Sequence, residues 1–255
     1  IVLKENKLAG LNGNLSLGTD FGIRNNGSGQ INYKTKQFSL FTNLGIKARV
    51  RNKTGDNEQS MLLNDSQSFL NELTSNDRDG KNLFFKGGIE YTPNRFHVIG
   101  LDLTYNDGGG QGDSRVDSDH TVDDLQSLYN RVTTGTGYRD GIDLSFSYDR
   151  KFQDPRHNFT VLASQSLNTD DHDDTFEMFL ESGDPDILDF SPQQSDRYNK
   201  NTTSLFQFDY ILPLGEMKIE SGLKSTGRVM DDDFFSKSLD AVTNEWVDDD
   251  FLNNN

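Results

Sequence analysis

Carboxylates are the chemistry this sequence holds in excess. Asp113, Asp117, Asp119, Asp123 and Asp124 fall in one stretch, and Asp170, Asp171, Asp173 and Asp174 in another. Carboxylate oxygens are the ligands that Ca²⁺ prefers, and residues 113–124 have the length of an EF-hand loop. Arg115, however, stands at a ligand position, and the mid-loop glycine is missing. His120 and His172 each lie near aspartates, and imidazole would extend such a site to transition metals. They sit in separate stretches, so no metal ligand is assigned. Gly108-Gly109-Gly110 and Gly135-Thr136-Gly137 resemble phosphate cradles only in composition. A phosphate loop follows a buried strand, opens a helix and carries Lys-Ser/Thr, and these read instead as loop glycines. No Ser-His-Asp order or catalytic carboxylate pair stands out. The reading is therefore a non-enzyme with no catalytic residue, no metal site and no cofactor. The acidic clusters are solvated outer loops.

The elements between those clusters alternate apolar and polar residues with period two. Phe206, Phe208, Tyr210 and Leu212 share one face, and Gln207 and Asp209 the other. Ile142, Leu144, Phe146 and Tyr148 oppose Asp143, Ser145, Ser147 and Asp149. This is the pattern of a strand with one face in an apolar medium and the other in water. The sequence predicts nine such strands: 11–21, 30–35, 38–50, 83–91, 97–105, 142–148, 159–167, 204–212 and 219–229. The Asn-Asn-Gly-Ser-Gly run at 25–29 is expected as a turn. Residues 64–73 and 122–129 are expected as short capped helices. Phe38, Tyr91, Tyr105, Tyr148, Phe208 and Tyr210, near strand ends, suit an interfacial aromatic girdle.

Linker lengths sort by parity. Linkers after the second, fourth, sixth and eighth strands are short, and three contain proline. Those on the opposite side are mostly long and acidic. Tight turns on one side and long loops on the other suit an up-and-down barrel in an outer membrane. Composition agrees: 32% of the 255 residues are hydrophobic, yet 11% are aromatic, and mean hydropathy is −0.73. A packed soluble core needs more apolar residues, and a disordered chain carries fewer aromatics. The stretches 51–82, 106–134, 169–201 and 231–255 hold 30 of the 41 acidic and 9 of the 25 basic residues. A surface this acidic repels phosphate backbones, so nucleic acid is not an expected partner.

Three stretches, 1–18, 141–150 and 206–224, resemble the TonB-dependent receptor family, in particular the Bacteroidetes type of outer-membrane barrel. The resemblance implies residues 1–10 as the end of a plug-like segment. Residues 11–255 are then a partial barrel of about nine strands with long acidic extracellular loops, in the Gram-negative outer membrane. It further implies uptake of a scarce nutrient. The partners would be outer-membrane lipid, an unknown nutrient ligand, and a possible surface lipoprotein. Contact with plug and TonB would run through parts this chain lacks. Asp143, Ser145, Asp149, Gln207, Asp209, Glu220, Lys224 and Arg228 would line the lumen. The alternative is a soluble secreted all-β module that binds glycan or calcium, with its apolar strand faces buried inside the chain.

Overall fold

A computed structural model describes residues 10–20, 23–63, 66–184, 190–249 and 253. The plug-like segment expected at 1–10 lies outside these except for Gly10. The described residues form one antiparallel meander in strict sequence order. Its strands are β1 (Gly10–Asp20), β2 (Arg24–Lys34), β3 (Phe38–Leu63), β4 (Ser66–Asn94) and β5 (His97–Val122). Then follow β6 (Leu125–Lys151), β7 (Asn158–Ser182), β8 (Gln193–Leu214), β9 (Met217–Leu239) and the three-residue β10 (Trp246–Asp248). The expected nine strands are thus ten, the last a short addition to the end of β9. Among the described residues the sheet does not close, because β1 and most of β9 have no partner on one side.

Several expected irregular segments are strand. The run at 25–29 lies inside β2, paired with β1. Its glycines accept the leucines of β1: Leu17 lies over Gly27 and Leu15 over Gly29. The helix expected at 64–73 is strand from Ser66 onward, its first two residues lying outside the described ones, and the helix expected at 122–129 is the end of β5, a tight turn at Asp123-Asp124 and the start of β6. Isolated helices this short are marginal, whereas here each segment finds hydrogen-bonded neighbours. For the same reason most of the long acidic stretches are extensions of hairpins. β3 and β4 pair without a register shift from Phe38–Tyr91 to Leu63–Ser66. At about 3.3 Å per residue, β4 is roughly 95 Å long, several times what a membrane requires.

The register carries each face across the sheet. Leu44 pairs with Phe85, Phe85 with Tyr105, Tyr105 with Ile142, and Ile142 with Leu167. Among the described residues no apolar side chain is buried, and Leu15, Leu17 and Leu223 are 76%, 79% and 63% exposed. A soluble module with internally packed strand faces is therefore not this molecule, since a continuous exposed apolar band needs another apolar phase. On β6 the band lies between Asp140 and Arg150. That interval is about 33 Å along the strand, or about 25 Å along the membrane normal at a ~40° tilt, the height of a barrel's apolar belt.

At the short-turn rim the girdle aromatics meet in clusters. Phe38 stacks on Tyr91 at 4.5 Å. Phe159 meets Tyr148 at 5.7 Å and Phe208 at 5.2 Å. The Tyr148 and Tyr210 hydroxyls reach His97 Nδ1 at 2.8 Å and His157 Nε2 at 3.0 Å. Tyr105 sits at the opposite rim, where its hydroxyl donates to Asp107 at 3.2 Å. Amphipathic rings with an apolar body and a hydrogen-bonded tip suit both interfaces. The short turns are tied together as well: Arg156 Nη1 donates to the Gly215 carbonyl at 2.9 Å, joining the β6–β7 turn to the β8–β9 turn.

Candidate functional site

The expected lumen residues share one face. Gln207 pairs with Lys224, Asp209 with the Cα of Gly222, and Arg228 with Thr203, on the side opposite Phe206 and Phe208. Asp143 pairs with Thr104 and Ser145 with Asp102 on the same polar side. We call this the inner face and the apolar side the outer face. Strand alternation splits the acidic clusters between them. Asp170 and Asp174 are on the inner face of β7, and Asp171 and Asp173 on the outer. Among the described residues no group of three or more His, Asp or Glu is placed to hold a metal ion.

The carboxylates between 113 and 124 already have neighbours. Asp117 takes Arg115 at 2.7 Å, and Asp119 accepts from Gln126 Nε2 at 2.8 Å. Asp123 and Asp124 have φ of 47° and 75°, the left-handed pair of a two-residue hairpin turn. The Asp123 carboxylate accepts from the Gln67 amide at 2.8 Å and from the Ser66 hydroxyl. Those bonds hold its pKa below the ordinary carboxylate value, the hydroxyl first. Asp123 is thus a clamp between two hairpin tips. His120 and His172 lie on the inner face, His120 against Ser68 Oγ at 2.9 Å and His172 against Asp170 Oδ1 at 2.8 Å.

Above the membrane band the two faces carry opposite charge. On the outer face, aspartates stand directly across from each other: Asp77 from Asp113, Asp107 from Asp140, Asp173 from Asp196. Burial pushes the Asp196 carboxyl up in pKa, and its hydrogen bond and charge contact with Asp173 push it further. Asp107 also draws in Tyr138, whose hydroxyl donates at 2.5 Å; that bond, with burial, pushes the phenol up to about 12. On the inner face the facing residues are basic: Arg24 pairs with Arg49, and Arg51 with Arg78. The Arg51 guanidinium, burial and Arg24 together hold Arg49 below the usual guanidinium range. Like charges placed directly opposite destabilise a sheet, so their retention in ordered ladders needs a cause outside packing.

Between the basic strands and β7, two adjacent rows of the inner face are floored by glycine. One cross-strand row runs Arg24, Arg49, Gly80, Gly110, Gly137, His172, Arg197. The next runs Arg51, Arg78, Gly112, Gly135, Asp174, Ser195. The glycines expected as loop residues are thus the floor of a trough of about 680 Å³, lined in part by Arg78, Gly110, Gly112, Gly137, His172 and Arg197. Neighbouring side chains use the missing Cβ atoms. A Cβ on Gly137 would come 2.5 Å from His172 Nδ1, and one on Gly112 2.6 Å from Arg78 Cγ. On the far wall, Arg139 pairs with Asp170 and Arg197 with Asp232, the latter at 3.3 Å. Sequence inspection missed this site, because strand parity alone turns Gly80, Gly110 and Gly137 into neighbours.

A family comparison matches residues 150–255 to the outer membrane protein β-barrel family. The match takes in β7 to β10 and the hairpin at 206–224. None of the curated proteins matches the chain. Strand order, an exposed apolar belt with its aromatic rim, and this family match agree. The chain is an all-β, antiparallel up-and-down meander of the transmembrane outer-membrane β-barrel kind, and its place is the outer membrane.

Proposed function

We propose that this chain is part of the wall of a TonB-dependent receptor that takes up a scarce nutrient. The observation that carries this reading is the glycine-floored polar trough on the inner face, above the belt. A wall that only sealed a membrane would have no use for hairpins that continue far beyond it with an open, charged inner surface. Ligand capture would occur on those hairpins. Release inward would follow plug movement driven from the inner membrane through TonB. Backbone groups in a bilayer must be paired, so further strands would complete the wall at β1 and β9. A surface lipoprotein acting as a lid is the proposed outer partner.

The test is uptake under nutrient limitation. Deleting the gene should abolish high-affinity uptake of one scarce nutrient, and loss of TonB should abolish it equally. Uptake that continues without TonB, or a passive conductance through the purified barrel, would contradict the reading.

A further inference from the structure

We propose that the inner wall formed by β2, β3 and β4 binds a multiply charged anion, one bearing two or more carboxylate or phosphate groups, across Arg24, Arg49, Arg51 and Arg78. The inference rests on the polar face being the lumen, as in the proposed function.

Four observations converge. The four guanidinium groups occupy two adjacent cross-strand pairs, Arg24 with Arg49 and Arg51 with Arg78. Directly opposed residues lie roughly 5 Å apart and i, i+2 neighbours roughly 7 Å apart, so the charges form a patch about 10 Å across. Among the described residues none of the four forms an ion pair. By contrast Arg139 and Arg197, across the trough, are matched by Asp170 and Asp232. Asp20 stands directly across from Arg24, whereas Arg49, Arg51 and Arg78 have no carboxylate directly opposite in the ladder.

That wall borders open space. Gly80 follows Arg49 in its row and Gly112 follows Arg78. The trough beside the wall, with Arg78, Gly80, Gly110 and Gly112 among its lining, holds about 680 Å³. That volume falls in the range of small-molecule sites. Guanidinium forks match carboxylate and phosphate geometry bidentately. An anion bridging the pairs would remove the repulsion that the ladder otherwise carries. The aspartate ladders on the outer face complete the device: they repel anions from the outside of the hairpins and leave the inner wall as the attractive path.

The chain contains no cysteine, so single-cysteine probes in native outer-membrane vesicles are clean. Asn76, two residues from Arg78 on the inner face, reports on the site as Asn76→Cys. It should react with an anionic thiosulfonate about tenfold faster than with a cationic one of the same size. Saturating inorganic pyrophosphate or citrate should protect it. Protection by pyrophosphate alone assigns phosphate, by citrate alone carboxylate, and by both the charge; each supports the proposal. In an Arg49→Gln/Arg51→Gln background the protection should disappear and the preference should shrink to what Lys53, directly across from Asn76, and Arg78 supply, while Arg49→Lys/Arg51→Lys should keep the full preference. Absence of preference and protection, or protection that survives the double glutamine variant, overturns the proposal. Asn43→Cys and Leu44→Cys, inner and outer neighbours in β3, control for the reading beneath it. If Leu44→Cys labels from water as readily as Asn43→Cys, the lumen assignment itself falls. If that contrast holds while Asn76→Cys shows no effect, only the anion site falls.

Discussion

Arginine at Leu144 and at Ser145 should have opposite consequences, although the two positions are adjacent. Leu144 is 48% exposed on the outer face of β6, in a cross-strand row with Leu103 and Gln165. It stands four residues from Asp140 and six from Arg150, close to the middle of the belt they bracket. An arginine on the lipid face at that depth costs about 2–4 kcal/mol. That is a shift of roughly 30-fold to nearly 1000-fold in the folding equilibrium. Ser145 faces the lumen opposite Asp102, so Ser145→Arg gains a carboxylate neighbour in water and should change stability by less than about 0.5 kcal/mol. The assay is reversible denaturant titration of the protein in lipid vesicles, read by tryptophan fluorescence and by heat-modified gel mobility. Equal costs at the two positions, or a larger cost at Ser145, would refute the face assignment.

Other expectations follow from single contacts. Gly110→Ala should destabilise by about 1–3 kcal/mol, because its Cβ would meet the Asp79 carbonyl oxygen at 2.2 Å. Gly227→Ala, which meets nothing within 4 Å, should be neutral or slightly stabilising in the same titration. Asp124→Gly should be tolerated or stabilising, since position 124 holds φ of 75°, where glycine has no steric penalty. The Asp123 clamp has a pH signature. Its pKa is depressed in the folded protein by Ser66 and Gln67, so its contribution is present above the unfolded carboxylate value near ~4 and is lost as pH falls through the lower folded value. The protection factor against hydrogen exchange beside the clamp, at Gln67 and Ser68, should therefore stay flat between about pH 5 and 8 and fall below about pH 4, and Asp123→Ala should lower it throughout.

How much could be read from sequence divides along the membrane. Within the belt one face meets lipid, so residues such as 142–148 and 204–212 must alternate strictly, and their faces and order were legible. Phe38, Tyr91, Tyr148, Phe208 and Tyr210 were legible for the same reason. Outside the belt both faces meet water, and nothing forces an apolar period. Residues 51–63, 66–82 and 106–122 therefore looked like acidic loops and short helices, although paired neighbours hold them as strand. The trough was hidden for a different reason. Arg24, Arg49, Gly80, Gly110 and Gly137 lie far apart in sequence, and only the register places them in one row. Local turn chemistry misled at 25–29, where glycine serves as a seat for Leu15 and Leu17.

The most direct test of the account is a single-cysteine scan of residues 142–149 in native outer-membrane vesicles with a water-soluble maleimide. The account predicts a period of two. Cysteines replacing Asp143, Ser145, Ser147 and Asp149 should label from the lumen, and those replacing Ile142, Leu144, Phe146 and Tyr148 should be protected by lipid and become reactive only in detergent or denaturant. Uniform labelling along the segment, or protection on the Asp143–Asp149 side, would contradict a lipid-facing wall.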